Sequence, residues 1–98
     1  MKALAAVRAG GIGDVLLCTP GLRECKRRDP SCRIAFYTDR PELVRGLPYI
    51  DEVRRSAEAP AGAVFLAYED AIPPRGHLAR RMADGLAVEV RDVLPDCA

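Results

Sequence analysis

The feature that most constrains this chain is a glycine cluster set between an apolar run and a helical pattern. Residues 3–8 (Ala-Leu-Ala-Ala-Val-Arg) are nearly continuous in apolar character, as in a strand buried on both faces of a parallel sheet. Ala9-Gly10-Gly11-Ile12-Gly13-Asp14 follows at once, and Val15, Leu16, Leu17 and Cys18 then begin a turn of helix. Glycines at a strand-to-helix junction permit positive φ and let a ligand approach bare backbone. The free N–H groups at the following helix start favour negative charge.

The rest of the chain repeats the alternation. Pro20 cannot donate to Leu16, so the helix is expected to restart there, with Thr19 as N-cap and Pro20 at the first helical position. Val15, Cys18, Leu22 and Cys25 form the inward stripe, Lys26 to Arg28 suit the negative end of the helix dipole, and Asp29-Pro30 stops it. Arg33 to Thr38 reads as a second strand, and residues 39–45 as a short helix capped by Asp39. A third strand is expected over 48–53, a loop over 56–62, a fourth strand over 63–68 and a last helix over 77–86. Val88 to Val90 is expected to begin another strand. This order predicts an α/β fold, a Rossmann-like parallel sheet flanked by helices, and 98 residues suffice for a single domain over 1–98.

Composition removes several function classes. Apolar residues make up 49% and charged residues 30%, the mix of a soluble globular chain, and a net charge of +1 gives no field that selects nucleic acid. The basic clusters at 26–28, 54–55 and 80–81 have acidic neighbours and no interleaved aromatics, so they read as solvated faces. Cys18, Cys25 and Cys32 are spaced by seven and Cys97 stands apart, without the C-x2-C pairs of a zinc site. They read as small apolar groups, and no metal is expected. No apolar run approaches the ~18 to 20 residues of a membrane span and the N-terminus is no signal peptide, which makes the cytoplasm the default location.

The chemistry concentrates in the glycine loop. A dinucleotide fingerprint fails there, because Leu16 stands where G-x-G-x-x-G needs its third glycine and Asp14 would face the pyrophosphate. Asp39, just after the second strand, has the place of a ribose-binding acid and keeps a nucleotide-binding reading open. No Gly-Lys-Ser/Thr of a Walker A loop follows. Asp14 at the mouth of the loop is placed either to take a proton from a substrate hydroxyl or to cap the helix start. His77, the single histidine, precedes the last helix between Arg75 and Arg80, where it is a helix-start residue or a substrate contact. Tyr37, Tyr49 and Tyr68 fall at strand positions and read as half-buried packing.

The string Gly11-Ile12-Gly13-Asp14-Val15-Leu16-Leu17-Cys18-Thr19-Pro20-Gly21-Leu22, the Asp29-Pro30 helix end, the strand Ile34 to Thr38 and Pro48-Tyr49-Ile50-Asp51-Glu52-Val53 come in a telling order. Met1 to Val53 resembles the N-terminal region of the family 9 glycosyltransferases, the ADP-heptose:lipopolysaccharide heptosyltransferase family. The resemblance implies part of the N-terminal, acceptor-holding lobe of a GT-B fold. It implies inverting sugar transfer with Asp14 as the base. Gly10, Gly11, Gly13, Thr19 and His77 would then contact substrate. It implies no metal and no bound cofactor, an ADP-sugar donor carried by a missing or separate C-terminal domain, and a glycolipid or glycan acceptor at the inner membrane face. The chain stops at Ala98, short of a donor lobe, so activity alone is not expected; a non-catalytic nucleotide-binding or assembly module is the alternative. Unpaired sheet edges favour self-association in either case.

Overall fold

Six consecutive residues of strand β1 (Ala3–Arg8) pair in parallel with β2 (Arg33–Thr38), from Ala3 opposite Arg33 to Arg8 opposite Thr38. Two shorter strands extend the sheet, β3 (Glu52–Arg54) beside β2 and β4 (Val64–Phe65) beside β1. All pairings are parallel and the order is β3-β2-β1-β4, which makes the protein α/β. The computed structural model describes residues 3–67, 78–86, 88–90 and 92–96. Three α-helices lie among the described residues: α1 (Ile12–Leu16), α2 (Thr19–Arg28) and α3 (Leu78–Asp84).

The register decides which side chains make the core. Val64, Ala6, Phe36 and Val53 form one row across the sheet, with Leu4 beside Ile34 in the same face. Ala6, Ile34 and Phe36 are fully buried and join Val15, Cys18, Leu22 and Met82, so α1, α2 and α3 feed one core on this face. Each large side chain buried here contributes about 1.5–3 kcal/mol. The opposite face carries Phe65, Val7, Tyr37 and Arg54 in one row and Ala5, Ala35 and Glu52 in the next, and none of these is buried. The expectation that residues 3–8 are buried on both faces is therefore corrected: the run is apolar because alanines suit a half-open face, while only its even positions pack under helices.

The helical restart at Pro20 is present, but its cap differs from expectation. Cys18 precedes α2 and Thr19 is its first residue; the Thr19 hydroxyl donates to the Leu16 carbonyl at 2.8 Å instead of capping. Pro20 lies in the first turn, where its missing N–H is harmless. Gly21 then lets α3 come close: a Cβ there would stand 3.2 Å from Ala83 Cβ and 3.3 Å from Ala83 Cα. The helix expected over 39–45 is a single 3-10 turn, Pro41–Leu43, because Asp39 accepts from the Ser56 hydroxyl rather than capping and Gly46, at φ +100°, closes the segment. The third and fourth strands are shorter than the expected 48–53 and 63–68. Tyr49 and Ile50 turn into the core before β3 begins. The last helix ends at Asp84, and residues 88–90 form no strand. Tyr68 and His77 lie outside the described residues. No helix among those described is long and apolar enough to cross a membrane.

Polar ties close the ends. Asp51 Oδ2 accepts from Lys26 Nζ at 2.6 Å and from the Ile34 amide at 2.7 Å, joining the end of α2 to the start of β2. Asp96 Oδ2 accepts from Arg23 Nη1 and from the Tyr49 hydroxyl, each at 2.9 Å, while the Asp96 amide donates to Thr19 Oγ1 at 2.9 Å. These partners hold the Asp96 and Asp51 carboxyls below their ordinary range. Arg27 and Arg28 hold Glu24 down at about 2.

Two outcomes follow for stability. Gly21→Val forces α2 and α3 apart and should cost about 1–3 kcal/mol in urea unfolding. The depressed carboxyls bind protons more tightly in the unfolded chain. Their contribution is complete above the unfolded pKa of about 4 and is lost as pH falls through the lower folded values. Urea midpoints should therefore drop as pH goes from about 5 toward 2, and Asp96→Asn should lower the midpoint at pH 7 and flatten part of that slope.

Candidate functional site

In open parallel sheets ligands bind beyond the carboxyl ends of the strands, at the point where strand order reverses. Here β2 and β3 run outward on one side of β1 and β4 lies on the other, so the reversal falls between β1 and β4. The glycine loop leaves β1 at this point.

Arg8 ends β1 and is buried, with 6% of its surface exposed. Its Nη1 donates to the Leu66 carbonyl at 3.1 Å, its Nη2 pairs with Asp14 Oδ2 at 3.4 Å, and its guanidinium lies 5.6 Å from the centre of the Phe65 ring. One cation thus joins the end of β1, the start of α1 and the edge strand β4. Gly10 turns the chain at φ +119°, and a Cβ there would meet Asp14 Oδ2 at 3.0 Å. The Asp14 carboxylate therefore folds back over the loop. Gly11 is extended, at φ −76° and ψ 175°, and neither it nor Gly13 has any atom within 4 Å of where a Cβ would be. The backbone at these two positions is open to an approaching ligand. Ile12 between them is 54% exposed.

The residues expected to touch substrate divide accordingly. Gly10, Gly11, Gly13 and Asp14 come together at the end of β1. Thr19 does not join them: its side chain is fully buried, with its hydroxyl given to Leu16 and taken by Asp96. His77 lies outside the described residues. The helix that starts at this loop, α1, is five residues long, with Asp14 in its first turn and no side-chain cap. Asp39 is exposed at the end of β2, one strand from the loop. Arg8 and Phe65 were not singled out by the sequence, although a charge closing an otherwise apolar strand, directly before glycines, is a readable sign. A cleft of about 610 Å³ runs along α2, but Arg27 and Arg28 bind Glu24 there and Arg23 binds Asp92 and Asp96. Its arginines are thus paired with carboxylates of the same chain.

No family model, curated protein or solved structure matches this chain.

The loop glycines should respond unequally to alanine. Gly10→Ala places a Cβ in a left-handed backbone and against Asp14, and should cost about 1–3 kcal/mol in thermal unfolding. Gly13→Ala, in open space inside a helix, should be neutral or stabilising by up to about 1 kcal/mol.

Proposed function

We propose that this chain is an acceptor-side domain, whole or in part, of an inverting GT-B glycosyltransferase of the heptosyltransferase type, with Asp14 as general base. The observation that carries the reading is the Asp14 carboxylate, oriented by Arg8 at 3.4 Å beside the open backbone of Gly11 and Gly13. An acceptor hydroxyl lying against that backbone gives its proton to Asp14 as its oxygen attacks the anomeric carbon of the donor. The bond from that carbon to the nucleoside diphosphate breaks on the opposite face, and the configuration inverts. Arg8 is anchored by Leu66 and keeps the carboxylate pointed at the loop, the positioning a base requires. The donor, an ADP-sugar, would be held by a second lobe, and the acceptor would be a glycolipid or glycan presented at the inner face of a membrane. The resemblance of the Gly11 to Leu22 string to the family 9 enzymes supports the same assignment.

A second reading has one observation in its favour. Asp39 sits exposed at the tip of β2 beside the glycine loop strand, the place from which a carboxylate binds a ribose. A nucleotide-binding module would use it.

In a form of the protein that also carries a donor lobe, Asp14→Asn should lower nucleoside diphosphate release from an ADP-sugar by about 100-fold or more, with the circular dichroism spectrum unchanged. Transfer at the unsubstituted rate would remove Asp14 from catalysis. Calorimetric binding of ADP or NAD to the chain, lost on Asp39→Ala, would favour the module instead.

A further inference from the structure

We propose that the cleft along the outer edge of β3 binds a phosphate monoester, held by Arg45 and Arg55. The site lies two strands from the glycine loop and goes beyond the acceptor-side reading, since it uses neither Asp14 nor Arg8.

The fold places the two arginines on one concave wall. β3 is the last strand of the sheet, so one of its edges faces no other strand. Arg45 follows the 3-10 turn at Pro41–Leu43, just before Gly46 closes that segment at φ +100°. Arg55 directly follows β3 and precedes a second 3-10 turn, Ser56–Glu58. Residues of both segments and of β3 line a cleft of about 400 Å³, among them Pro41, Arg45, Val53, Arg55 and Glu58. Arg45, Arg55 and Glu58 are all exposed there.

The charges of the cleft favour an anion. Glu52 is already claimed: Arg54 Nε donates to its Oε1, and Arg33 Nη2 lies 3.7 Å from its Oε2. Among the described residues the side chains of Arg45 and Arg55 make no hydrogen bond or ion pair. Even Glu42, spaced three residues before Arg45 as an ion-pair partner on a helix would be, forms none with it. Glu58 is the remaining lining carboxylate, so two cations stand against one anion. A single unpaired arginine is ordinary on a protein surface. Two that share one cleft repel each other, and an anion between them turns that repulsion into attraction.

The chemistry selects the kind of anion. A guanidinium is a rigid fork of donors that takes two oxygens of a phosphate or carboxylate at once. A phosphate monoester brings two negative charges and three terminal oxygens to the two forks, whereas a carboxylate brings one charge and two oxygens. The cleft is larger than a bare phosphate needs and falls in the range that encloses small organic ligands. Pro41 and Val53 give the organic part of the ester an apolar wall, and Val53 is itself backed by the core.

Phenyl phosphate titrated into the chain at pH 7 and constant ionic strength, followed by NMR of backbone amides and arginine side chains, should shift the Arg45 and Arg55 signals saturably, with half-saturation at about 1 mM or below. Inorganic phosphate should bind about threefold or more weaker, because it lacks the group that meets Pro41 and Val53. Arg45→Gln and Arg55→Gln should each weaken phenyl phosphate about fivefold or more, and Glu58→Gln should tighten it about twofold. Arg27→Gln, which removes an arginine already paired with Glu24, should leave the affinity within about 1.5-fold. All four positions are exposed, so an unchanged circular dichroism spectrum should accompany each variant. Shifts that fail to saturate and are matched by sodium chloride would overturn the site, as would phenol binding as tightly as phenyl phosphate. Saturable shifts at the Gly11 and Gly13 amides with Arg45 and Arg55 unmoved would place the phosphate at the glycine loop and overturn it too. Asp14→Asn should leave phenyl phosphate binding within about twofold, so the site stands or falls separately from the proposed base.

Discussion

The parallel ladder between β1 and β2 is the constraint on which the remaining structure depends. Six paired positions fix which residues of each strand face the helices, and a slip of one would turn Ala6, Ile34 and Phe36 outward and break the core. The ladder is also what brings the ends of β1 and β2 level, with Arg8 beside Thr38. The glycine loop and the Asp39 turn therefore open on the same edge. Asp51 secures the other end of the pairing by accepting from the Ile34 amide and from Lys26, so the register is held where β2 begins as well as where β1 stops.

Arg8 gives that edge its chemistry. Removing a guanidinium from water is costly, and only well-placed partners offset it. The carbonyl of Leu66, the carboxylate of Asp14 and the face of Phe65 supply them. Because the cation is buried, its partners are fixed in position by its need for them. A surface arginine would leave Asp14 free to rotate into solvent.

Long, strongly patterned segments were legible in the sequence. Residues 3–8 and 33–38 are strands as expected, and the inward stripe Val15, Cys18, Leu22, Cys25 lies against the core. Shorter elements were not, because tertiary contacts decide them. Residues 39–45 carry a cap and a proline suited to a helix, yet seven residues cannot offset the cost of nucleation once Asp39 bonds Ser56. Thr19 looked like a cap and a substrate contact; its hydroxyl is instead claimed by a residue 77 positions away, a partner no local pattern announces. Of the candidate site, the glycines and Asp14 were readable from spacing. Phe65 was not, since an apolar residue in an apolar strand gives no hint of which face it takes until the register is known.

The tie at Asp96 bears on how the molecule comes apart. Last segments of a chain ordinarily fray first. Here the final described residue is held at once by the first turn of α2, by Arg23 farther along that helix and by Tyr49 ahead of β3. Releasing it disturbs groups that border Leu22 and Ile50 in the core. The Asp96 amide, bonded to Thr19 Oγ1 in the first turn of α2, is therefore expected to exchange with solvent more slowly than a fraying end would.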